Sequence, residues 1–89
     1  MFTERLNLAM NKIGARSPDI ARIIGCDRSN IDRMVKGGRI PKKNGKSVWR
    51  IAEALYLFAD EHGETEKLIS CFGGKKSGTP ELIESDLID

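Results

Sequence analysis

The sequence has few of the residues that build metal centres, disulfide frameworks and all-β domains. Two cysteines, Cys26 and Cys71, and one histidine, His62, are too few for the four ligands of a structural zinc site. The cysteines are not spaced as a CxxC pair, so we interpret both as small buried hydrophobic residues rather than redox groups. Aromatic residues make up only 6% of the 89 residues, which favours packed helices over a β-sandwich.

Long apolar runs and catalytic constellations are missing as well. No segment approaches the roughly 18 apolar residues of a membrane span. The opening MFTERLNLAMNK carries charges at Glu4 and Arg5, unlike a secretory signal. We therefore expect a cytoplasmic protein with no membrane partner. The lone His62 has no evident nucleophile or orienting acid, and no complete phosphate-binding loop occurs, so we expect no enzyme activity, cofactor or metal.

The charges are distributed unevenly along the chain. The net charge is only +2, yet residues 1–46 hold eleven cations and four anions, whereas residues 47–89 hold four cations and nine anions. A basic half of this kind is typical of a protein that binds a polyanion such as nucleic acid. A solvated basic face without a partner would give the same imbalance.

Apolar spacing predicts an all-α fold of five helices. The first has a stripe from Phe2 to Ile13, and the second begins at Ser17-Pro18-Asp19, where Ser17 would be the cap. The third runs from Arg28 to Lys36, with Asp27 as its N-terminal cap. Gly25 would end the second helix and Gly37 the third. The fourth, SVWRIAEALYLFADEHG, is apolar around most of its surface, and the fifth would be capped by Thr65 and end at residues 73–74.

Two segments are predicted to lie outside regular structure. The basic stretch GRIPKKNGK reads as a turn-rich loop, and GGKKSG as a flexible linker that separates a domain of residues 1–73 from a tail of residues 74–89. The acidic tail TPELIESDLID has a short apolar stripe. It is either a disordered terminus or an amphipathic piece that docks on its own domain, on a second subunit or on another protein.

The second and third helices satisfy the requirements of a tight helix-turn-helix. Seven positions combine apolar, small and glycine residues at the needed offsets: Ile20, Ala21, Ile24, Gly25, Cys26, Ile31 and Met34. With SPDIARIIGCDRSNIDRMVKGG for the motif and IAEAL for the next helix, the sequence resembles the XRE family of phage repressor and Cro-like DNA-binding proteins. The resemblance covers residues 2–72 and implies a compact five-helix lambda-repressor-like domain with its helix-turn-helix at 17–37.

The polar side of the third helix is the candidate reading surface. Rotation by about 100° per residue separates an apolar arc at Ile31 and Met34 from a polar side. Candidate base contacts on that side are Arg28, Ser29, Asn30 and Arg33, and the resemblance implies this role for Arg28, Ser29 and Arg33. Arginine can read guanine and asparagine adenine in the major groove. Alternatively, the charges form a solvated face with ion pairs from Asp32 to Arg28 and Lys36.

Contacts with the DNA backbone are expected at the edges of the motif. Candidates are the amides at the start of the second helix and the cations after the third: Ser17, Lys36, Arg39, Lys42, Lys43, Asn44 and Lys46. Such contacts give affinity without sequence preference.

A single short helix reads too few base pairs, so we expect a homodimer on an inverted repeat of double-stranded DNA. The candidate interface is the surplus apolar surface of the last two helices: Trp49, Tyr56, Leu57, Phe58, Leu68, Ile69 and Phe72. The alternative is that helix five only closes the core of one chain. The expected function is a transcriptional repressor that occludes its promoter. The alternative is an antitoxin or protein-interaction module whose acidic tail binds a partner protein.

Overall fold

The described part of the chain forms five main helices, and the all-α fold class is confirmed there. The computed structural model describes residues 2–41 and 46–71 together with Leu87. The helices are α1 (Phe2–Ile13), α2 (Ser17–Ile24), α3 (Arg28–Val35), α4 (Lys46–Glu61) and α5 (Thr65–Cys71). No strand occurs in these ranges. Each helix lies within a few residues of its predicted position.

Local chemistry sets the turn between α2 and α3, as predicted. Gly25 has φ +85°, a left-handed conformation that glycine adopts without the steric cost of a Cβ, and its N–H donates to the Ala21 carbonyl at 2.8 Å. Asp27 then caps α3, because its carboxylate accepts a hydrogen bond of 3.4 Å from the Ser29 N–H. The two helices are therefore joined by only three residues.

Two other predicted caps are wrong by one residue. Ser17 is the first residue of α2 rather than its cap, and the preceding Arg16 is the N-cap. Asp19 reaches back instead, its carboxylate accepting from the Arg16 N–H at 3.0 Å. Likewise Thr65 is the first residue of α5, and the Glu64 carbonyl accepts from the Leu68 N–H at 3.1 Å. Pro18 fits this register because proline is tolerated throughout the first turn.

The longest helix, α4, lies at the centre of the packing. It contacts α1, α2 and α5, whereas α3 packs on α1 and α2. Seven residues of α4 are buried: Val48, Ile51, Ala52, Ala54, Leu55, Phe58 and Ala59. Opposite them lie Leu6, Ala9 and Met10 of α1 and Ile20 and Ala21 of α2 in one continuous hydrophobic cluster. No helix in the described ranges has the length and apolarity required to cross a bilayer.

One residue of the acidic tail belongs to this core. Leu87 is 0% exposed and joins the cluster formed by the helices. The sequence left open whether the tail is disordered or docks on its own domain or on another chain. The position of Leu87 agrees with docking on its own domain. The other residues of the segment TPELIESDLID lie outside the described ones.

We predict that Leu87→Ala lowers the free energy of unfolding by about 2–5 kcal/mol, because truncating a fully buried leucine removes apolar contacts and leaves a cavity. The matched control is Leu8→Ala, at a side chain that is 50% exposed. It should change stability by no more than about 0.5 kcal/mol. Urea unfolding followed by circular dichroism measures both. Equal effects for the two variants would show that Leu87 is not part of the folded core.

Candidate nucleic-acid interface

Helix α3 presents an apolar face inward and a polar face outward, as its sequence predicted. Ile31 and Met34 are 2% and 5% exposed, and Val35 is half-buried against the core. Arg28, Ser29, Arg33 and Lys36 are exposed, whereas Asn30 and Asp32 are half-buried. Three of the four candidate base-contacting residues are thus accessible, and Asn30 lies at the edge of the face.

Packing, rather than intrinsic propensity, must hold α3 in place. A helix of eight residues is not stable alone in water. Its apolar face is fixed by α2, whose Ile20 and Ala21 are buried, and by α1. Burying Ile31 and Met34 contributes about 1.5–3 kcal/mol each. The polar face therefore has a defined direction relative to the rest of the domain.

A hydrogen bond from α1 also fixes the C-terminal end of α3. The side-chain amide of Asn7 donates to the Val35 carbonyl at 2.8 Å and to the Thr3 carbonyl at 2.9 Å. Carbonyls of the last turn have no partner within their own helix, so Asn7 satisfies one that would otherwise face the helix junction. Sequence reasoning missed this residue, because its partner lies 28 positions away.

The charged residues of α3 are only weakly paired. Nε of Arg28 lies 3.9 Å from a carboxylate oxygen of Asp32, with both side chains substantially exposed. Exposed pairs of this kind contribute little to stability. The predicted ion pair between Asp32 and Arg28 is thus present, although it is long. Among the described residues, Arg33 forms no ion pair, and its guanidinium remains available for a ligand.

The N-terminal end of α2 offers fewer donors than the sequence suggested. Pro18 has no N–H, and the N–H groups of Asp19 and Ile20 donate to the Arg16 carbonyl at 2.9 and 3.2 Å. Ser17 therefore supplies the remaining backbone N–H of this first turn. The Asp19 carboxylate lies beside it and pairs with Arg22 at 3.5 Å. This carboxylate reduces the attraction of this helix end for phosphate.

The expected backbone-contact cations are described in part. Lys36, Arg39 and Lys46 are exposed, and Lys46 is the first residue of α4. Lys42, Lys43 and Asn44 lie outside the described residues.

The expected dimer surface needs correction at two residues. Phe58 and Leu68 are 5% and 0% exposed within the single chain, because α5 packs on α1 and α4 and closes the core there. The His62 ring stacks on Phe58 with centroids 4.1 Å apart, and its Nδ1 lies 2.9 Å from the Phe58 carbonyl oxygen. Phe58 and Leu68 thus belong to the core rather than to an interface.

Other members of the expected dimer surface remain accessible. Leu57 is 45% exposed, and Trp49, Tyr56 and Ile69 are half-buried. Phe72 lies outside the described residues. Leu57 is therefore the most accessible of the described residues in this set.

A pocket of about 120 Å³ lies between α3 and α4 and was not predicted. Ile31, Met34 and Ile51 are the most buried of its lining residues, and its polar lining is Asn30, Arg39, Ser47 and Arg50. Ile24 and Cys26 complete it. Cys26, expected to be a small buried hydrophobic residue, is a free thiol that is half-buried against the core. Of Cys71, only the backbone is described.

The described residues contain no group of three or more histidine, cysteine or acidic side chains that could hold a metal ion. Comparisons with protein-family models, curated proteins and solved structures found no match for this chain.

We predict that Asn7→Ala lowers the free energy of unfolding by about 1–2 kcal/mol, because the Val35 carbonyl loses its partner in a partly buried position. Asn11→Ala is the matched control, one turn along the same helix and exposed. It should stay within about 0.5 kcal/mol of the parent. Urea unfolding compares them. Equal stability of the two variants would contradict the anchoring role of Asn7.

Proposed function

We propose that this protein is a sequence-specific double-stranded DNA-binding regulator that inserts α3 into the major groove. The observation that carries the proposal is the orientation of α3. Its apolar residues pack on α1 and α2, and its outward face presents Arg28, Ser29 and Arg33 to solvent, with Lys36 exposed just after its end.

The outward residues have the chemistry that base reading needs. The major groove is about 12 Å wide and admits an α-helix, and its guanine edges present two acceptors. A guanidinium can donate to both at once. The exposed, unpaired Arg33 is thus the principal candidate, with Arg28 and Ser29 beside it and Asn30 at the flank. An operator that includes G·C pairs is the expected target.

Electrostatics favours the same surface. The cations Lys36, Arg39 and Lys46 follow the end of α3 and are exposed. They belong to the basic half of the chain, and most of the acidic residues lie after residue 46. Phosphate contacts by such cations would supply affinity that is independent of sequence and weakens with salt. A protein-interaction role for α3 would not require this excess of positive charge.

The five-helix order and the α2–turn–α3 geometry agree with what the XRE-family resemblance implied, and we propose a lambda-repressor-like domain on that basis. A regulator of this design needs two copies to read an inverted repeat. We assign the pairing surface to Leu57 with Trp49, Tyr56 and Ile69. Bound as a homodimer over a promoter, the protein would act as a repressor by occlusion.

The antitoxin alternative requires the tail to bind a partner protein. If a partner protein bound the apolar stripe of the tail, Leu87 would have to leave the core of the domain described above. Exposing a leucine costs about 1.5–3 kcal/mol, which the new interface would have to offset. The buried Leu87 thus favours the regulator without a tail-binding partner.

Selection of bound sites from a random pool of DNA duplexes tests the function. We expect enrichment of an inverted repeat whose half-sites lie about one helical turn apart and contain G·C pairs. A single enriched half-site would retain sequence reading but contradict the dimer. No enrichment at all would contradict sequence-specific binding and favour a protein-interaction module.

We predict different effects for two arginines. Arg33→Ala should weaken binding to the selected site by about 1–3 kcal/mol and relax the preference at one base position. Arg39→Ala should weaken binding to all sequences alike and reduce the salt slope by about one. Fluorescence anisotropy with selected and scrambled duplexes at several salt concentrations separates the two effects.

The control for both is Lys67→Ala, which also removes one exposed positive charge. Lys67 lies on α5, which makes no close contact with α3 within the described ranges. Its loss should leave specificity and salt slope unchanged. If Arg33→Ala behaved like Arg39→Ala on every duplex, base reading by Arg33 would be wrong.

A further inference from the structure

The pocket lies between α3 and α4, whose backbones do not approach each other closely. Within the described residues, α3 contacts α1 and α2, and α4 contacts α1, α2 and α5, but no close backbone contact joins α3 to α4. The space between them is lined from one side by Asn30, Ile31 and Met34 and from the other by Ser47, Arg50 and Ile51.

The lining combines an apolar interior with two positive charges. Ile31, Met34 and Ile51 are each at most 5% exposed, so the side of the pocket that they form belongs to the core. Arg39 and Arg50 are exposed and form no ion pair with any described residue, and the described residues of the lining include no acidic side chain. Two guanidinium groups beside an apolar surface are complementary to a ligand with an apolar body and an anionic head.

The volume limits the size of that ligand. An engineered cavity of about 150 Å³ with apolar walls accommodates benzene, and the volume here is about 120 Å³. The apolar body is therefore about the size of one six-membered ring or a short branched chain, and the head group can project toward the arginines at the open side.

We infer that the α3–α4 pocket is a binding site for a small aromatic or branched-chain carboxylate. The apolar body packs against Ile31 and Met34, and the carboxylate accepts hydrogen bonds from Arg39 and Arg50. The half-buried Asn30 and Ser47 provide further polar groups at the same site. Binding does not depend on the proposed function.

A consequence for regulation rests on the proposed function. The ligand contacts the inner side of α3 and neutralises Arg39, which is assigned to the DNA backbone. Occupancy would thus lower DNA affinity at low salt, most strongly for sequence-independent binding.

Nuclear magnetic resonance of the full ¹⁵N-labelled chain tests the site without DNA, with sodium benzoate as the probe at constant ionic strength. We expect saturable shifts centred on the amides of Asn30, Ile31, Met34 and Ile51, with a Kd of about 1 mM or tighter for a ligand of this size. Benzyl alcohol, which lacks the charge, and acetate, which lacks the ring, should each bind at least about tenfold more weakly.

Three variants test which arginines bind the carboxylate of benzoate. Arg39→Gln and Arg50→Gln should each weaken benzoate binding by about three- to tenfold, whereas Arg22→Gln, at an exposed arginine of α2 outside the pocket, should leave it unchanged. Thermal unfolding confirms that all three remain folded. No saturable shift with benzoate, equal binding of benzyl alcohol or acetate, or equal effects of all three substitutions would overturn the inference. Failure to select DNA, with benzoate binding intact, would contradict only the proposed function.

Discussion

The seating of α3 on α1 and α2 through Ile31 and Met34 is the contact on which the other features depend. An eight-residue helix has too few internal hydrogen bonds to persist alone, so its existence and its direction both come from this apolar contact. The same contact determines which residues face water. Because residues three and four apart share a helix face, burying Ile31 and Met34 forces Ser29 and Arg33 outward. The surface proposed for DNA binding thus follows from a packing requirement.

A short connection and two side-chain hydrogen bonds further restrict the position of α3. The left-handed Gly25 and the Asp27 cap limit the path between α2 and α3, and Asn7 binds the last turn of α3 from α1. Each contact is modest alone. Together they fix both ends of the helix. The proposed reading of base edges would need this, because it requires side chains positioned to within a fraction of the hydrogen-bond length.

The arrangement also explains why a pocket forms where it does. Helix α3 is held by two neighbours on one side, and α4 is committed to the core through the residues from Val48 to Ala59. Ile31, Met34 and Ile51 line the gap between them, and Arg39 and Arg50 lie at the same pocket. The charges remain unneutralised within the described chain. The surface proposed for DNA and the pocket proposed for a carboxylate consequently share Arg39.

The sequence by itself determined the helices, the Gly25 turn and the inward and outward faces of α3, because these depend on periodicity and on glycine and cap chemistry within a few residues. Tertiary structure alone decided that Phe58, Leu68 and Leu87 belong to the core, that Asn7 bonds Val35 and that a gap separates α3 from α4. Apolar periodicity marks a face as buried but does not say whether its own chain or a second one covers it. That choice depends on contacts between residues far apart in sequence, which no local pattern encodes.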